Sequence, residues 1–216
     1  MVITRDYSAA SKLVINVRQL GAAGDGVTND REAIQRVIDD TEDGVVYFPA
    51  GVYLIGAPGL VVPASNLHLT GDGIGVSTLL ADDINDLILV QTFDPPGTVS
   101  FRNLSFKGEA KRLVSILADD SSIPVARFED CEFNLPTAAC LFTEAAGAVS
   151  LSFCILSRAA PAKHLIVQKP LPIDTESHIY LTANIFMDEA QAIIGQDNTL
   201  GGGVGEGAVF IHDPEL

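Results

Sequence analysis

Along most of this chain apolar and polar residues alternate in short runs, and one segment departs from that rhythm. In "NDREAIQRVIDD" (29–40) the apolar Ala33, Ile34, Val37 and Ile38 fall at i, i+1, i+4 and i+5, one stripe on a helix. Asn29 followed three residues later by Glu32 is a capping-box pattern. Together they predict a short amphipathic helix of about two to three turns. From "GVVYFPAGVYLI" (44–55) onward the chain reads as β runs punctuated by Gly, Pro, Asn and Asp.

Four of these runs align: "VSFRNLSF" (99–106), "ARFEDCEF" (126–133), "VSLSFCIL" (149–156) and "IYLTANIF" (179–186). Each is apolar or small at its first, third and eighth positions, and three are apolar at the sixth. The third positions, Phe101, Phe128, Leu151 and Leu181, are 27, 23 and 30 residues apart (101 to 128 to 151 to 181). "LHLTGDGI", with Leu67 and Leu69, belongs one coil earlier. Second runs, "RLVSILA" (112–118), "AACLFTE" (138–144) and "HLIVQ" (164–168), lie between the aligned ones. Two or three strands in coils of this length, with irregular turns, are the arithmetic of a parallel β-helix.

The expectation is therefore an all-β single domain over 1–216, a parallel β-helix of about six coils with a short N-terminal capping helix. Residues 1–44 would hold the first strand and that helix, 45–195 the coils, and 196–216 a Gly-rich turn, "GGGVGEG", with a closing strand. The ends of such a rod expose unpaired strand edges, and the Ala33/Ile34/Val37/Ile38 helix is placed to cover one of them. "GAAGDGVTND" ahead of it, like "GDGIG" (71–75), lacks the strand–loop–helix order of a nucleotide loop and reads as turn chemistry. Asp25, Asn29, Asp30 and Glu32 are then structural turn and cap residues.

Composition narrows the function classes. The 216 residues are 47% hydrophobic, enough for a core, and 13 Lys+Arg against 28 Asp+Glu give a net charge of −15. That charge argues against nucleic acid and anionic membranes as partners, and a polyuronate would meet the same repulsion. No run in residues 1–20 has the length of a signal-peptide core and none elsewhere reaches membrane-spanning length, so a soluble protein, cytoplasmic or in a virus particle, is expected. Cys131, Cys140 and Cys154 are too few and too scattered for a disulfide framework or metal site and read as buried thiols. His68, His164, His178 and His212 show no metal-ligand spacing.

"GAAGDGVTNDREAIQRVID", "GVVYFPAGVYLI" and "SNLHLTGDGIGVSTLL", all within residues 16–80, resemble the N-terminal hallmark of the pectate-lyase/polygalacturonase-like right-handed β-helix superfamily. That superfamily also supplies many phage tailspikes and other virion β-helices. The resemblance implies a right-handed parallel β-helix, and several of its branches form trimers and handle carbohydrate. Its polygalacturonase-like members carry Asn-x-Asp, Asp-Asp, Gly-His-Gly and Arg-x-Lys elements, and only Asp-Asp occurs here, at Asp39-Asp40, Asp82-Asp83 and Asp119-Asp120. The Arg-x-Pro-x-x-Arg element of the pectate lyases is absent as well.

Asp82, Asp83, Asp119 and Asp120, each pair preceded by alanine, are the catalytic candidates; a carboxylate pair or a Ca²⁺ site stands beside plain turn chemistry, with no cofactor or metal otherwise called for. Arg102, Lys107, Lys111 and Arg112 form a local basic cluster, a candidate for acidic sugar or a partner's carboxylates, against a salt-bridged surface. If third and eighth positions point inward, the fifth and seventh point outward: Asn103 and Ser105, Asp130 and Glu132, Phe153 and Ile155, Ala183 and Ile185. Phe153, Ile155 and Ile185 would make an exposed apolar patch, a candidate oligomer interface of a homotrimer. Two readings stand: a non-catalytic structural or adhesive β-helix, an oligomeric virion component touching glycans or other virion proteins, and a polysaccharide lyase or glycoside hydrolase acting on an acidic polysaccharide.

Overall fold

A computed structural model describes residues 13–41, 43–63, 66–91, 97–117, 125–135, 139–143, 147–158, 164–168, 176–187, 192–196 and 208–212. In chain order, β1 (Leu13–Asn16) leads through a 3-10 turn (Val17–Leu20) to β2 (Asp25–Asn29) and α1 (Arg31–Asp39). Then come β3 (Gly44–Phe48), β4 (Gly51–Ile55), β5 (Leu60–Pro63), β6 (Leu67–Gly71), the long β7 (Ser77–Gln91), β8 (Thr98–Arg102) and the long β9 (Ser105–Leu117). They are followed by β10 (Val125–Glu129), β11 (Glu132–Leu135), β12 (Ala139–Thr143), β13 (Gly147–Ser152), β14 (Ile155–Arg158) and β15 (His164–Gln168). The last are β16 (Glu176–Thr182), β17 (Ile185–Met187), β18 (Ala192–Gln196) and β19 (Ala208–His212).

Every pairing is parallel, and the strands collect into two sheets. The first has eight strands in the order β1-β3-β6-β8-β10-β13-β16-β19, and the second has eleven. The chain passes from the first sheet to the second after β1, β3, β6, β8, β10, β13 and β16, and the passes from β3 to β16 span five full circuits of the solenoid. In the first sheet Val46, Leu69, Phe101, Phe128, Leu151 and Leu181 are register partners in succession. The sequence repeat read at its third position is thus the physical rung, including the earlier coil at Leu69.

The register follows from burial with a period of two. In β6 Leu67, Leu69 and Gly71 are buried and His68 and Thr70 half-buried, and β8 and β10 alternate in the same phase. A one-residue slip would turn the apolar set to solvent. The interior stacks like residues on like: Phe101 and Phe128 lie parallel at 4.9 Å, Phe106 and Phe133 at 5.1 Å, and the two stacks meet edge to face. Such aromatic pairs add about 0.5–1.5 kcal/mol each beyond their area burial.

Between β8 and β9, and at the same place in the next three rungs, the chain turns through two residues. The first of the two is always left-handed: Asn103, Asp130, Phe153 and Ala183 have φ of 56°, 51°, 56° and 50°. The backbone bonds forward and back without a break through the turn. Asp130 N donates to Ser152 O at 3.1 Å and Phe153 N to Thr182 O at 3.0 Å, while Ile155 N reaches back to Cys131 O and Ile185 N to Cys154 O, both at 2.8 Å. Inter-rung pairing therefore imposes the left-handed residue whatever its side chain. Elsewhere the bend is a bulge: β7 shifts register between Ala81 and Ile84, where Asp83 has φ 48°. Gly108 of the next rung lies so close to it that a Cβ there would sit 2.3 Å from Ala81 O.

Helix α1 covers the edge of the first coil. Ile34, Val37 and Ile38 are fully buried against the core and Ala33 packs partly. Its polar side chains complete the covering. The Gln35 amide accepts from Val61 N and donates to Val61 O, both at 2.8 Å, and Arg31 Nε donates to Gly59 O at 3.1 Å. Gln35 gives the edge strand β5 the bonds that another strand would supply.

The helix start differs from the capping box expected at Asn29 and Glu32. The N-cap is Asp30, with no side-chain cap bond, and Glu32 is exposed. Asn29 Oδ1 instead accepts from Arg31 N at 3.1 Å and Gly56 N at 3.2 Å. The Asp30 carboxylate, buried at 1% exposure, accepts from Ala23 N at 2.6 Å and Gly24 N at 2.9 Å. Asp25 closes the next turn, accepting from Val27 N, Thr28 N and Thr28 Oγ1. Tertiary partners outcompete the local box because the helix N-terminus is pinned between β2 and β4: Asp30 N itself donates to Leu54 O at 2.8 Å.

Candidate functional site

The left-handed corner changes character along the rod. In the upper rungs it carries Asn103 and Asp130, the residue types that tolerate this conformation best, followed by Ser105 and Glu132. Ser105, expected to face solvent, is fully buried: its hydroxyl accepts from Gly75 N and donates to Glu132 Oε2, both at 2.8 Å. The loop after β6 folds over this position, which a strand-by-strand pattern does not reveal. In the lower rungs Phe153 is 55% exposed, Ile185 56% exposed, and Ile155, in register with Ile185, half-buried. The structure thus gathers Phe153, Ile155 and Ile185 at one corner of two consecutive rungs. A phenylalanine held at φ 56° is an outlier for a bulky side chain, at a cost of about 1–2 kcal/mol.

The basic candidates do not form one patch. Arg102, on the first sheet, pairs with Glu129, its register partner on β10. Lys107, on the second, lies 2.9 Å from Glu132. Arg112 grips Asp86 of the preceding rung with Nε at 2.7 Å and Nη2 at 3.0 Å, and Asp86 also accepts from the Ser115 hydroxyl. Lys111 is exposed on the same strand. These are rung-to-rung ties; Arg102–Glu129 is an exposed pair, of a kind that contributes about 0–1 kcal/mol, and the other two are more shielded from solvent.

Among the acids, Asp82 and Asp83 are exposed in the β7 bulge; Asp119 and Asp120 lie outside the described residues. Among the described residues no three His, Cys, Asp or Glu side chains are grouped to hold a metal ion. Asp25 titrates below the ordinary aspartate range because Thr28 and Val27 amides bond its ionised form. Tyr47 is pushed up by its hydrogen bond to Asp72, and Tyr53 by burial. Cys131 and Cys154 are free and buried, stacked at the inner side of the corner, and burial pushes the Cys131 thiol well above its usual value. Cys140 has no described side chain.

One further surface emerges only from the register. The outward positions of the first sheet run in register across the rungs as His68, Ser100, Arg127, Ser150 and Tyr180. His68 Nδ1 and Ser100 Oγ are 2.5 Å apart, and Arg127 and Tyr180 are exposed. Alternation within each strand would have shown these residues as outward, but only the register reveals that they form one line.

The family model described as rhamnogalacturonase A/epimerase, pectate lyase-like, matches residues 14–112. Over 81 residues the chain is 40% identical to mannuronan C5-epimerase AlgE1 of Azotobacter vinelandii, a match covering 34% of this chain and 6% of that protein. Over 59 residues it is 46% identical to a probable glucan endo-1,3-beta-glucosidase of Arthroderma benhamiae, covering 27% and 6%. The chain therefore spans a small part of the length of these relatives. Among solved structures, ORF18 of Geobacillus virus E2 superposes with a TM-score of 0.54 at 17% identity, over 92% of this chain and 47% of that one. A putative glycosyl hydrolase from Parabacteroides merdae gives 0.52 at 15% identity, over 92% and 96%. At such identities the likeness is one of fold: the chain is a parallel β-helix, and its residues 14–112 are similar to the pectate lyase-like family.

Proposed function

We propose that this protein is a non-catalytic structural or adhesive β-helix, working as an oligomeric component of a virus particle and contacting glycans. The observation that carries this reading is the apolar corner at Phe153 and Ile185, more than half exposed, with Phe153 in a backbone conformation that disfavours it. A corner that keeps an exposed, strained aromatic gains from covering it, and a homotrimer packed through these rungs would do so. Arg102, Lys107 and Arg112 being tied to carboxylates of neighbouring rungs also fits a rod reinforced along its length. The likeness to a virus protein supports the particle setting. Light scattering with subunit cross-linking tests the reading: trimers at micromolar concentration, lost in Phe153→Asp, are expected, and a wild-type monomer would refute it.

A second reading, a polysaccharide lyase or glycoside hydrolase, is favoured by the 36% identity over 72 residues to alginate lyase 7 of Azotobacter vinelandii. Its test is sustained double-bond absorbance or reducing-end release from a panel of acidic and neutral polysaccharides, abolished in Asp82→Asn/Asp83→Asn or Asp119→Asn/Asp120→Asn. Such turnover would replace the non-catalytic reading.

A further inference from the structure

Cys131 and Cys154 stand 23 residues apart in the chain (131 to 154) and one rung apart in the solenoid. The register pairs on either side of them are Glu129 with Ser152 and Glu132 with Ile155, which sets Cys131 opposite Cys154. The parallel ladder runs through this point, with Asp130 N donating to Ser152 O at 3.1 Å and Ile155 N to Cys131 O at 2.8 Å. The two side chains also point the same way. Cys131 Sγ lies 3.5 Å from Phe101 O and 3.4 Å from Glu129 O, and Cys154 Sγ lies 3.5 Å from Phe128 O and 3.4 Å from Ser152 O. Both thiols are fully buried. The same ladder position holds the buried Leu104 one rung before them and Asn184 one rung after. Asn184 Oδ1 accepts from Cys154 N and its Nδ2 donates to Leu151 O, both at 2.9 Å. Among the described residues, each sulfur therefore has the other as its one redox-active neighbour in this column.

We propose that Cys131 and Cys154 form a latent disulfide, closed by a low-molecular-weight disulfide such as oxidised glutathione, which staples the Asp130 corner to the Phe153 corner. Rungs paired in parallel stand about 4.8 Å apart, inside the Cα separation of about 4.4–6.8 Å that disulfides span. Closure then needs a side-chain rotation and an approach of about a few tenths of an ångström at Cβ, with no change of register. The site is asymmetric. Cys154 follows Phe153, the exposed residue held in a conformation that disfavours it, so lifting that strained corner uncovers Cys154 first. The Cys131 thiol hydrogen-bonds to the Cys154 sulfur and holds Cys154 below its usual range, while burial pushes Cys131 up. Cys154 is thus the attacking thiolate: it bonds to one sulfur of oxidised glutathione and expels the other as a glutathione thiolate. Cys131 then attacks the Cys154 sulfur of that mixed disulfide, loses its proton to solvent and releases the second glutathione. The protein gives up two protons and two electrons, and the oxidant becomes two molecules of glutathione.

The inference goes beyond the assembly reading and stands or falls without it. To test it, the reduced protein is incubated with millimolar oxidised glutathione, unfolded in iodoacetamide and cut after glutamate, which separates Cys131, Cys140 and Cys154 at Glu132 and Glu144. Mass spectrometry is expected to find the Cys131 and Cys154 peptides joined, with Cys140 outside the bridge. Closing this loop should raise the melting temperature by about 5–10 °C, reversed by dithiothreitol. In Cys131→Ser the reaction should stop at a glutathione adduct on Cys154, and in Cys154→Ser the Cys131 thiol should stay reduced. If a serine variant fails to fold, the wild-type peptide map and melting shift decide. Both thiols still alkylated after oxidation, a bridge to Cys140 in place of this one, or a bridge that does not raise the melting temperature would overturn the proposal. Light scattering on the reduced protein reads the oligomeric state separately. A monomer that still closes the bridge refutes the trimer alone, and a trimer whose thiols never join refutes the staple alone.

Discussion

The upper and lower rungs make the same turn with opposite surface chemistry. At Asn103 and Asp130 the left-handed residue is one that favours the conformation, and the neighbouring Ser105 and Glu132 are tied into hydrogen bonds and an ion pair. At Phe153 and Ala183 the backbone is the same within a few degrees, yet the side chains are apolar and the flanking Ile155 and Ile185 have no polar anchor to offer. The turn is thus enforced by inter-rung pairing, and the side chain at its tip is free to serve something else. In the upper rungs it serves the fold; in the lower ones its chemistry points outward.

The comparison can be broken hardest from the inside. Phe128 touches the rings of Phe101, Phe106 and Phe133, so Phe128→Ala should cost about 3–5 kcal/mol in chemical denaturation. If it costs less than Phe153→Ala, the enforcing element is not the stacked interior. Next in size, Asp30→Ala strands the amides of Ala23 and Gly24 and should cost about 2–4 kcal/mol, with the loss showing as faster hydrogen exchange in residues 21–30. Asn29→Ala should cost about 1 kcal/mol by the same denaturation assay.

Phe153→Asn sharpens the contrast because it reverses the sign. Under conditions where the protein is monomeric it should gain about 1 kcal/mol, since asparagine relieves the left-handed strain. Where the corner is covered by other copies, the same change should lower the melting temperature. A variant that is less stable as a monomer would show that the ring is packed rather than presented. The smallest effect lies in pH dependence at the N-terminal end. The folded state depresses the Asp25 pKa, so its contribution is present above the ordinary aspartate range and is lost as pH falls through the depressed value. The melting-temperature gap between wild type and Asp25→Ala should therefore narrow on acidification.

Phe101, Phe128, Leu151 and Leu181 could be aligned from sequence because burial with a period of two repeats once per rung, and register is specified wherever one face is buried. The covering helix was legible for the same reason: Ile34, Val37 and Ile38 fall on one stripe, and all three are buried. Ser105 and the capping box were misread because their partners are distant in the chain. Gly75 lies 30 residues before Ser105, and the Gly56 amide that Asn29 serves lies 27 residues after it. The basic cluster was visible as composition, whereas its division between two sheets depends on the crossover from β8 to β9. The outward row of the first sheet required the full register, since its members are separated by whole coils of irregular length.

One consequence follows from the Gln35 amide set against Val61. By occupying the donor and acceptor that β5 would otherwise present, it makes the rod a polymer with one blocked terminus on this wall. An incoming chain cannot template on the β5 edge without first displacing a helix buried through Ile34, Val37 and Ile38. Extension of the sheet is thereby closed off at that edge, as a capping subunit closes the end of a growing filament.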